Sequence, residues 1–465
     1  MERGMAAEPQ STFTIDPQHW AHEQFGGCEL GDLRRTKRLV KVAQQAAARP
    51  DGSTPDQTES WSDCKAVYRL MDCDDVTHAE IIRPHCELTK QSCLSGSTKL
   101  VLCDTTEIDF KREVEGIGSV GKGTGRGFFL HTGLMRDADS AKIEGVAGQV
   151  LFHRKPRSKR VPKNSRRRDP QRESVAWGQL IDDIGPPPAD VKWVHVCDRG
   201  ADDYEVYLRA FLNHCGWVVR VARLNRKVQD LQGRTLTLAE HIAKQAVQGT
   251  TTLEVPRQGK RQARQAQVMI RFAPLRMPTP SRGNDWIKTH APEEPILMWF
   301  VELKEESPPE GVEPLHWVLL TSEVVASLDA AQECLNRYQL RWGVEEYHKA
   351  LKTGCRVEHR YYETAARLER VTGMFAVLAV RLLQIRSLAD DDPDQPANEV
   401  IPRQWVNVLA RVRKRSENTM TIGQFVRHLA GLGGHLGRKR DGRPGWITLW
   451  RGLEKLLLIL RGASL

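Results

Sequence analysis

Between Lys99 and Leu224 the chain alternates short apolar runs with helix-like stretches, and no other feature restricts its fold as tightly. KLVLCDTTEIDF, GFFLHTGLMRD, VAGQVLFHRK, VKWVHVCDRGADD and GWVVRVARL are β-rich, with helical patterns around Arg172 to Ile184 and in YEVYLRAFL. Strands interleaved with helices predict an α/β core. KLVLCDTTEIDF is expected to be a strand ending at Asp104 followed by a short second strand, and VHVCD a strand ending at Asp198.

On either side the pattern changes. Three helical segments, LGDLRRTKRLVKVAQQAAARP, SWSDCKAVYRLMDC and THAEIIRPHCELTKQS, predict an α-helical module over 1–95 after a short N-terminal lead. From about 234 to 322 the signals turn mostly to strand, separated by Pro- and Gly-bearing turns, as a β-rich insertion would. Helices resume from SLDAAQECLNRYQLRWGVEEYHKALK, and DDDPDQPANEVIP is the expected linker to a last helical region. The expected division is 1–95, 96–390 with its insertion, and 391–465. At 465 residues the chain is too long for one core.

A formal charge of +10 points to a polyanionic partner. Ten Lys or Arg lie between Arg154 and Arg172, and Arg257, Lys260, Arg261 and Arg264 form a second basic run. Such runs suit loops that touch phosphates without reading sequence, with a solvated loop lacking a partner as the lesser alternative. Ten cysteines form no C-x-x-C pair and no zinc spacing, and the N-terminal stretch holds no apolar run. A reducing cytoplasm and no membrane span are therefore expected. GIGSVGKGTGRG resembles a phosphate loop, but Gly123 replaces the magnesium-binding hydroxyl and a strand follows, so nucleotide binding is rejected.

Chemistry concentrates in YQLRWGVEEYHKALKTGC. On one helix Tyr338, Arg341, Glu345 and Lys352 would fall within an arc of roughly 60°, while Leu340, Val344, Tyr347 and Leu351 form an apolar stripe roughly 120° away. Glu345 alone is explained by an i,i+4 contact with Lys349, and Asp104 or Asp198 alone by turn formation. Together the three carboxylates repel unless divalent cations bridge them. Two such ions about 3.5–4 Å apart can drive phosphodiester chemistry. Trp317, in PLHWVLLTS, is by itself a core strand residue.

These residues resemble the bacterial insertion-sequence DDE transposases of the cut-and-paste type with a Y-(2)-R-(3)-E-(6)-K signature, here Tyr338, Arg341, Glu345 and Lys352, with DTT at 104–106 and DRGAD at 198–202. LGDLRRTKRLVKVA and AVYR resemble the family's end-binding helices, and LGGHLGRKRDGRPGWITLWRGLEKL its C-terminal dimerisation region. The resemblance implies an RNase H-like core, with Asp104, Asp198 and Glu345 binding Mg2+ (Mn2+ able to substitute). It further implies DNA contacts from Tyr338, Arg341, Lys352, Trp317, Arg220, Arg34, Arg35, Arg38 and Arg69, with Trp317 stacking on a flipped base. The implied partners are inverted-repeat ends and target DNA, bound by a homodimer in a synaptic complex in the bacterial cytoplasm at the nucleoid. Gly200 and Asp72 depart from the family pattern. A nuclease on the same core, or an inactive end-binding repressor, are the competing readings.

Overall fold

The computed structural model describes residues 16–463 apart from 94, 141, 155–172, 256–262, 390–391, 416–419 and 439–440. Five helices open it: α1 (Pro17–Phe25), α2 (Leu33–Ala48), α3 (Thr54–Gln57), α4 (Trp61–Met71) and α5 (His78–Gln91). Each starts on a side-chain cap, from Asp16, Asp32, Ser53, Ser60 and Thr77 in turn. The sequence pattern showed three of these; α1 and α3 are too short to display a helical period.

A mixed α/β region follows, comprising β1 (Thr98–Asp109), β2 (Gly118–Val120), β3 (Gly125–Asp137), β4 (Ile143–Phe152), α6 (Val175–Ile184), β5 (Lys192–Cys197), α7 (Tyr204–Leu212) and β6 (Gly216–Arg220). Next come β7 (Lys227–Gln229), β8 (Thr235–Thr237), α8 (Leu238–Ala243), β9 (Gly249–Val255), β10 (Arg264–Met277), α9 (Asp285–His290), β11 (Ile296–Glu305) and β12 (His316–Thr321). The chain then turns helical: α10 (Leu328–Leu340), α11 (Trp342–Lys349), α12 (Ala365–Gln384), α13 (Ala397–Val400), α14 (Arg403–Val412), α15 (Ile422–Leu432) and α16 (Trp446–Ala463).

The strands form one sheet in the order β2-β3-β1-β5-β6-β12-β11-β10-β7-β8, with β4 on β3 and β9 on β10. β1 runs parallel to β5 and antiparallel to β3, and β5 runs parallel to β6. The β-rich segment is continuous with this sheet, because Val218–Arg220 of β6 pair with Leu319–Thr321 of β12. That pairing satisfies an edge that would otherwise expose its backbone donors and acceptors.

Both faces of the central strands are covered, which is why they read as unbroken apolar runs. Leu100, Leu102, Val194 and Val196 share a core with Val344, Leu351 and the long helix α12. Val101, Cys103, Trp193 and Cys197 face the other way, against Leu180 of α6 and Tyr207 of α7. Side chains alternate along a strand, so Asp104 follows Leu102 onto the first face. Asp198, two residues after Val196, follows it there too. GIGSVGKGTGRG forms the β2–β3 hairpin, a strand–turn–strand unit with no helix after it. All ten cysteines are free thiols. No helix among the described residues is long and apolar enough to cross a membrane.

Candidate active site

The parallel register of β1 and β5 ends with Cys103 opposite Cys197. One residue further, Asp104 and Asp198 emerge side by side. The expectation that β1 stops at Asp104 is corrected: the strand continues to Asp109, held by β3, with Asp104 paired to Thr132. What ends at Asp104 is the β5 neighbour, and burial along β1 falls from complete at Leu100–Cys103 to partial at Asp104–Glu107. Asp198 caps a short 3-10 turn, Arg199–Ala201, its Oδ1 accepting from Gly200 N–H at 2.7 Å.

Glu345 approaches from α11, which lies against β1 at Gly343. A Cβ there would stand 3.0 Å from Leu102 Cδ1, so glycine permits the close approach. Val344, Tyr347 and Leu351 are fully buried and Leu340 partly so, as the apolar stripe predicts. Tyr347 is fixed from both sides, donating from its hydroxyl to Ala376 C=O (3.1 Å) and accepting from Gln149 Nε2 (3.0 Å).

The expected single helix is interrupted twice. Arg341 links α10 to α11 through tightened i→i+3 hydrogen bonds on either side, and Ala350–Gly354 form a π-helical turn. A π turn takes up one residue more than an α turn, so Lys352 leaves the 60° arc that a uniform helix would give. Its Nζ lies 3.5 Å from Glu358, whose side chain also accepts from Asp109 N–H. Tyr338 is also turned from solvent. It is 6% exposed, and its ring packs edge-on against Trp317 at 5.4 Å.

Arg341 joins the carboxylates. Its Nη2 donates to Glu345 Oε1 at 2.6 Å and its Nη1 lies 3.7 Å from Asp104 Oδ2. Glu345 thus pairs with Arg341, four residues back, and not with Lys349, the surface contact that is the alternative to a site role. Burial raises the Asp104 carboxyl to about 6, Arg341 opposes the rise, and Asp198 and Glu345 add to it by repulsion. Asp104 therefore senses both other acids across the site. Among the described residues no trio of His, Cys, Asp or Glu is gathered tightly enough to hold an ion; the guanidinium supplies the positive charge between Asp104 and Glu345. Three hard oxygen donors that repel in one crevice are the chemistry that suits a divalent cation.

Arg220, Trp317 and Tyr338 form one cluster, with the Arg220 guanidinium 5.7 Å from the Trp317 ring centre. The N-terminal arginines lie elsewhere. Arg34 binds its own cap Asp32, Arg35 binds Asp75, Arg38 binds Asp63, and Arg69 is exposed. Such solvent-facing ion pairs are weak, so phosphates could compete for these cations. The run at 155–172 and Arg257, Lys260 and Arg261 lie outside the described residues. Arg264 is no loop residue. It starts β10 and forms a two-pronged pair with Glu305.

Both departures from the family pattern acquire structural reasons. A Cβ on Gly200 would meet Trp177 Cζ2 at 2.9 Å and Asp198 Oδ1 at 3.0 Å. Asp72 pairs with Arg367 at 2.6 Å, tying α4 to the start of α12. Sequence reasoning missed His348, whose Nδ1 is 3.9 Å from Asp104 Oδ2, and His131, which is hydrogen-bonded through Nδ1 to Thr105. Burial holds both imidazoles down at about 3, hence neutral. His348 stands three residues after Glu345, one helical turn away, and that spacing was the available signal.

Two family models match the chain: Transposase DNA-binding over residues 17–76, and Transposase DDE domain over residues 172–380. The first covers α1 to α4 with Arg34, Arg35, Arg38 and Arg69. The second contains Asp198, Glu345 and the whole Tyr338–Lys352 segment and begins downstream of Asp104. With both matches in chain order, the protein belongs to the insertion-sequence DDE transposase family and is a DNA transposase.

Proposed function

We propose that the chain moves an insertion sequence by cutting and pasting it, with Asp104, Asp198 and Glu345 as the metal-binding acids. The observation that carries this is the register of β1 and β5, which sets Asp104 beside Asp198, with Arg341 linking Asp104 to Glu345. We take β4-β3-β1-β5-β6 as the RNase H-like core, because its two central parallel strands present both aspartates on the face covered by α11. Bound divalent ions, Mg2+ with Mn2+ as substitute, would supply activation of a water or 3′-hydroxyl and neutralise charge on the departing oxygen.

The chain's own contribution is positioning. Arg341 keeps the flanking carboxylates apart and oriented, and is itself close enough to face a phosphate. Lys352, and separately the Arg220–Trp317 pair, offer two cations and an aromatic face, which suits a strand end and an unstacked base. Tyr338 supports Trp317 from below. Residues 1–95 bind the element end through Arg34, Arg35, Arg38 and Arg69, 96–390 perform the chemistry, and 391–465 join two copies in a synaptic complex. On this reading the reaction proceeds by hydrolysis of one strand, hairpin formation by the freed 3′-hydroxyl, reopening and strand transfer to target DNA, at the nucleoid of a bacterial cytoplasm.

The purified chain, incubated with end-containing duplex and Mg2+, should yield nicked, hairpin and strand-transfer products. Glu345→Ala should bind the end yet form none of them. Nicking without hairpins would establish a nuclease in place of the full reaction, and unchanged cleavage by Glu345→Ala would remove Glu345 from the site.

A further inference from the structure

The C-terminal helices line a half-open cavity of about 620 Å3 that carries five arginines. Arg386 follows α12, Arg413 follows α14, Arg427 lies on α15, and Arg438 and Arg443 lie on the loop before α16; all five are exposed. Asp394 is the one acidic residue among the described residues that line it. Arg413, Arg427 and Arg438 make no side-chain ion pair or hydrogen bond with the described residues. Three unpaired guanidinium groups beside one lining acid constitute a site with unmet demand for negative charge. His428, in the turn beside Arg427, senses that field: burial lowers its pKa, and Arg413, Arg415 and Arg427 lower it further.

One residue of its lining also reaches α11, the helix that carries Glu345. Arg386 Nη1 lies 3.7 Å from Glu346, the residue after Glu345. Behind it, Arg136 on β3 is near enough to Arg386 to be destabilised by it, and its buried Nε has no partner among the described residues. A line of guanidinium groups therefore runs from the flank of α11 into the C-terminal cavity.

We propose that this arginine cavity is a second DNA contact, holding the phosphodiester backbone of a duplex as it leaves the catalytic site. Planar guanidinium forks on four separate chain segments match successive phosphates better than one small anion, which would need its ligands buried around it. Contacts of this kind position a duplex without reading its sequence. The inference rests on the chain being a DNA transposase, and not on which carboxylates bind metal.

The test measures binding of the full-length chain to a 40-base-pair duplex lacking the element ends, by fluorescence anisotropy across a salt series. Arg413→Gln with Arg427→Gln should weaken binding about tenfold and flatten the log–log salt slope by about 2, near 0.9 per phosphate contact. The lysine pair at the same positions should restore most of both. A slope unaltered in the glutamine variant on the non-end duplex and on the flanked end duplex alike, with its thermal melt unchanged, would overturn the proposal. So would wild-type DNA affinity accompanied by a shift from dimer to monomer in sedimentation, which would make the cavity a contact between copies. An end duplex with and without a 20-base-pair outer flank separates two DNA sources: a defect only with the flank assigns the cavity to donor DNA, and a defect only with non-end duplex assigns it to the target. Binding is read without cleavage, so an inactive site at Asp104 would leave this outcome unaffected.

Discussion

Arg341 donates to Glu345 at 2.6 Å from four residues earlier, and the same guanidinium stands 3.7 Å from Asp104 on a strand more than two hundred residues upstream. One cation thus couples the helix to the sheet at the point where the acids meet. Its Nη1 is buried with no hydrogen-bond partner among the described residues, so the group is held in place by charge more than by a completed hydrogen-bond set.

Arg341→Met should therefore destabilise the protein in the presence of chelator, because it leaves Asp104 and Glu345 facing each other without compensation. A loss of about 1–3 kcal/mol is expected from exposing partly buried charges to repulsion. Urea melts at pH 7.5 measure it. Added Mg2+ should recover part of the loss, since a divalent cation relieves the same repulsion. A melt unchanged in chelator would show that Arg341 does not compensate these acids.

Asp104→Asn should have the opposite sign. The folded-state carboxyl sits at about 6 against an ordinary 3.8, so the fold penalises the charged form. That penalty is complete above pH 6 and fades as pH falls towards 3.8. With chelator present, the asparagine variant should be more stable than the parent at pH 7.5, by up to about 3 kcal/mol. The two should converge near pH 4. Cleavage should be lost at every pH, which separates the catalytic role from the stability effect.

The sequence alone carried the α/β class, both aspartates and the apolar seat of α11, because each has a local signature: an apolar run before an Asp, or a helical period. Three features were not legible, each for a physical reason. Gly343 and Gly354 weaken a regular helix near the breaks at Arg341 and Ala350–Gly354, but a glycine does not say which turn tightens and which widens; that is set by packing against β1 and α12. The extension of β1 to Asp109 depends on β3, a partner that local pattern cannot specify. The continuity of the β-rich segment with the core sheet is set by β6 and β12, nearly a hundred residues apart. Long-range pairing decided all three.

Gly200 shows how a family departure can be a local fit. Trp177 fills the space a side chain would need, and the Gly200 N–H reaches Asp198. Gly200→Glu should push against the indole and cost about 1–3 kcal/mol by overpacking. It should also shift Asp198 and depress cleavage more than tenfold. Combining it with Trp177→Ala should recover part of the cleavage if crowding is the cause; no recovery in the double variant would count against that explanation.

Lys99, on β1 five residues before Asp104, is 3% exposed and bridges Asp137 (2.9 Å) and Glu144 (2.8 Å). Lys99→Met keeps most of the stem's packing but removes the ammonium that two carboxylates share, so a loss of about 3–5 kcal/mol is expected at pH 7. The pH dependence identifies the cause. Burial raises the Asp137 carboxyl, but Lys99 and Ser140 more than offset this and hold it at about 2, below the ordinary 3.8. A lowered folded-state pKa gives stability that is present above 3.8 and lost as pH falls through about 2. In Lys99→Met that contribution should shrink, so the gap between parent and variant should hold from pH 7 to about 4 and narrow below it in melts taken down to pH 2.5. A gap that stays constant across this range would mean the loss comes from packing of the lysine stem and not from its charge.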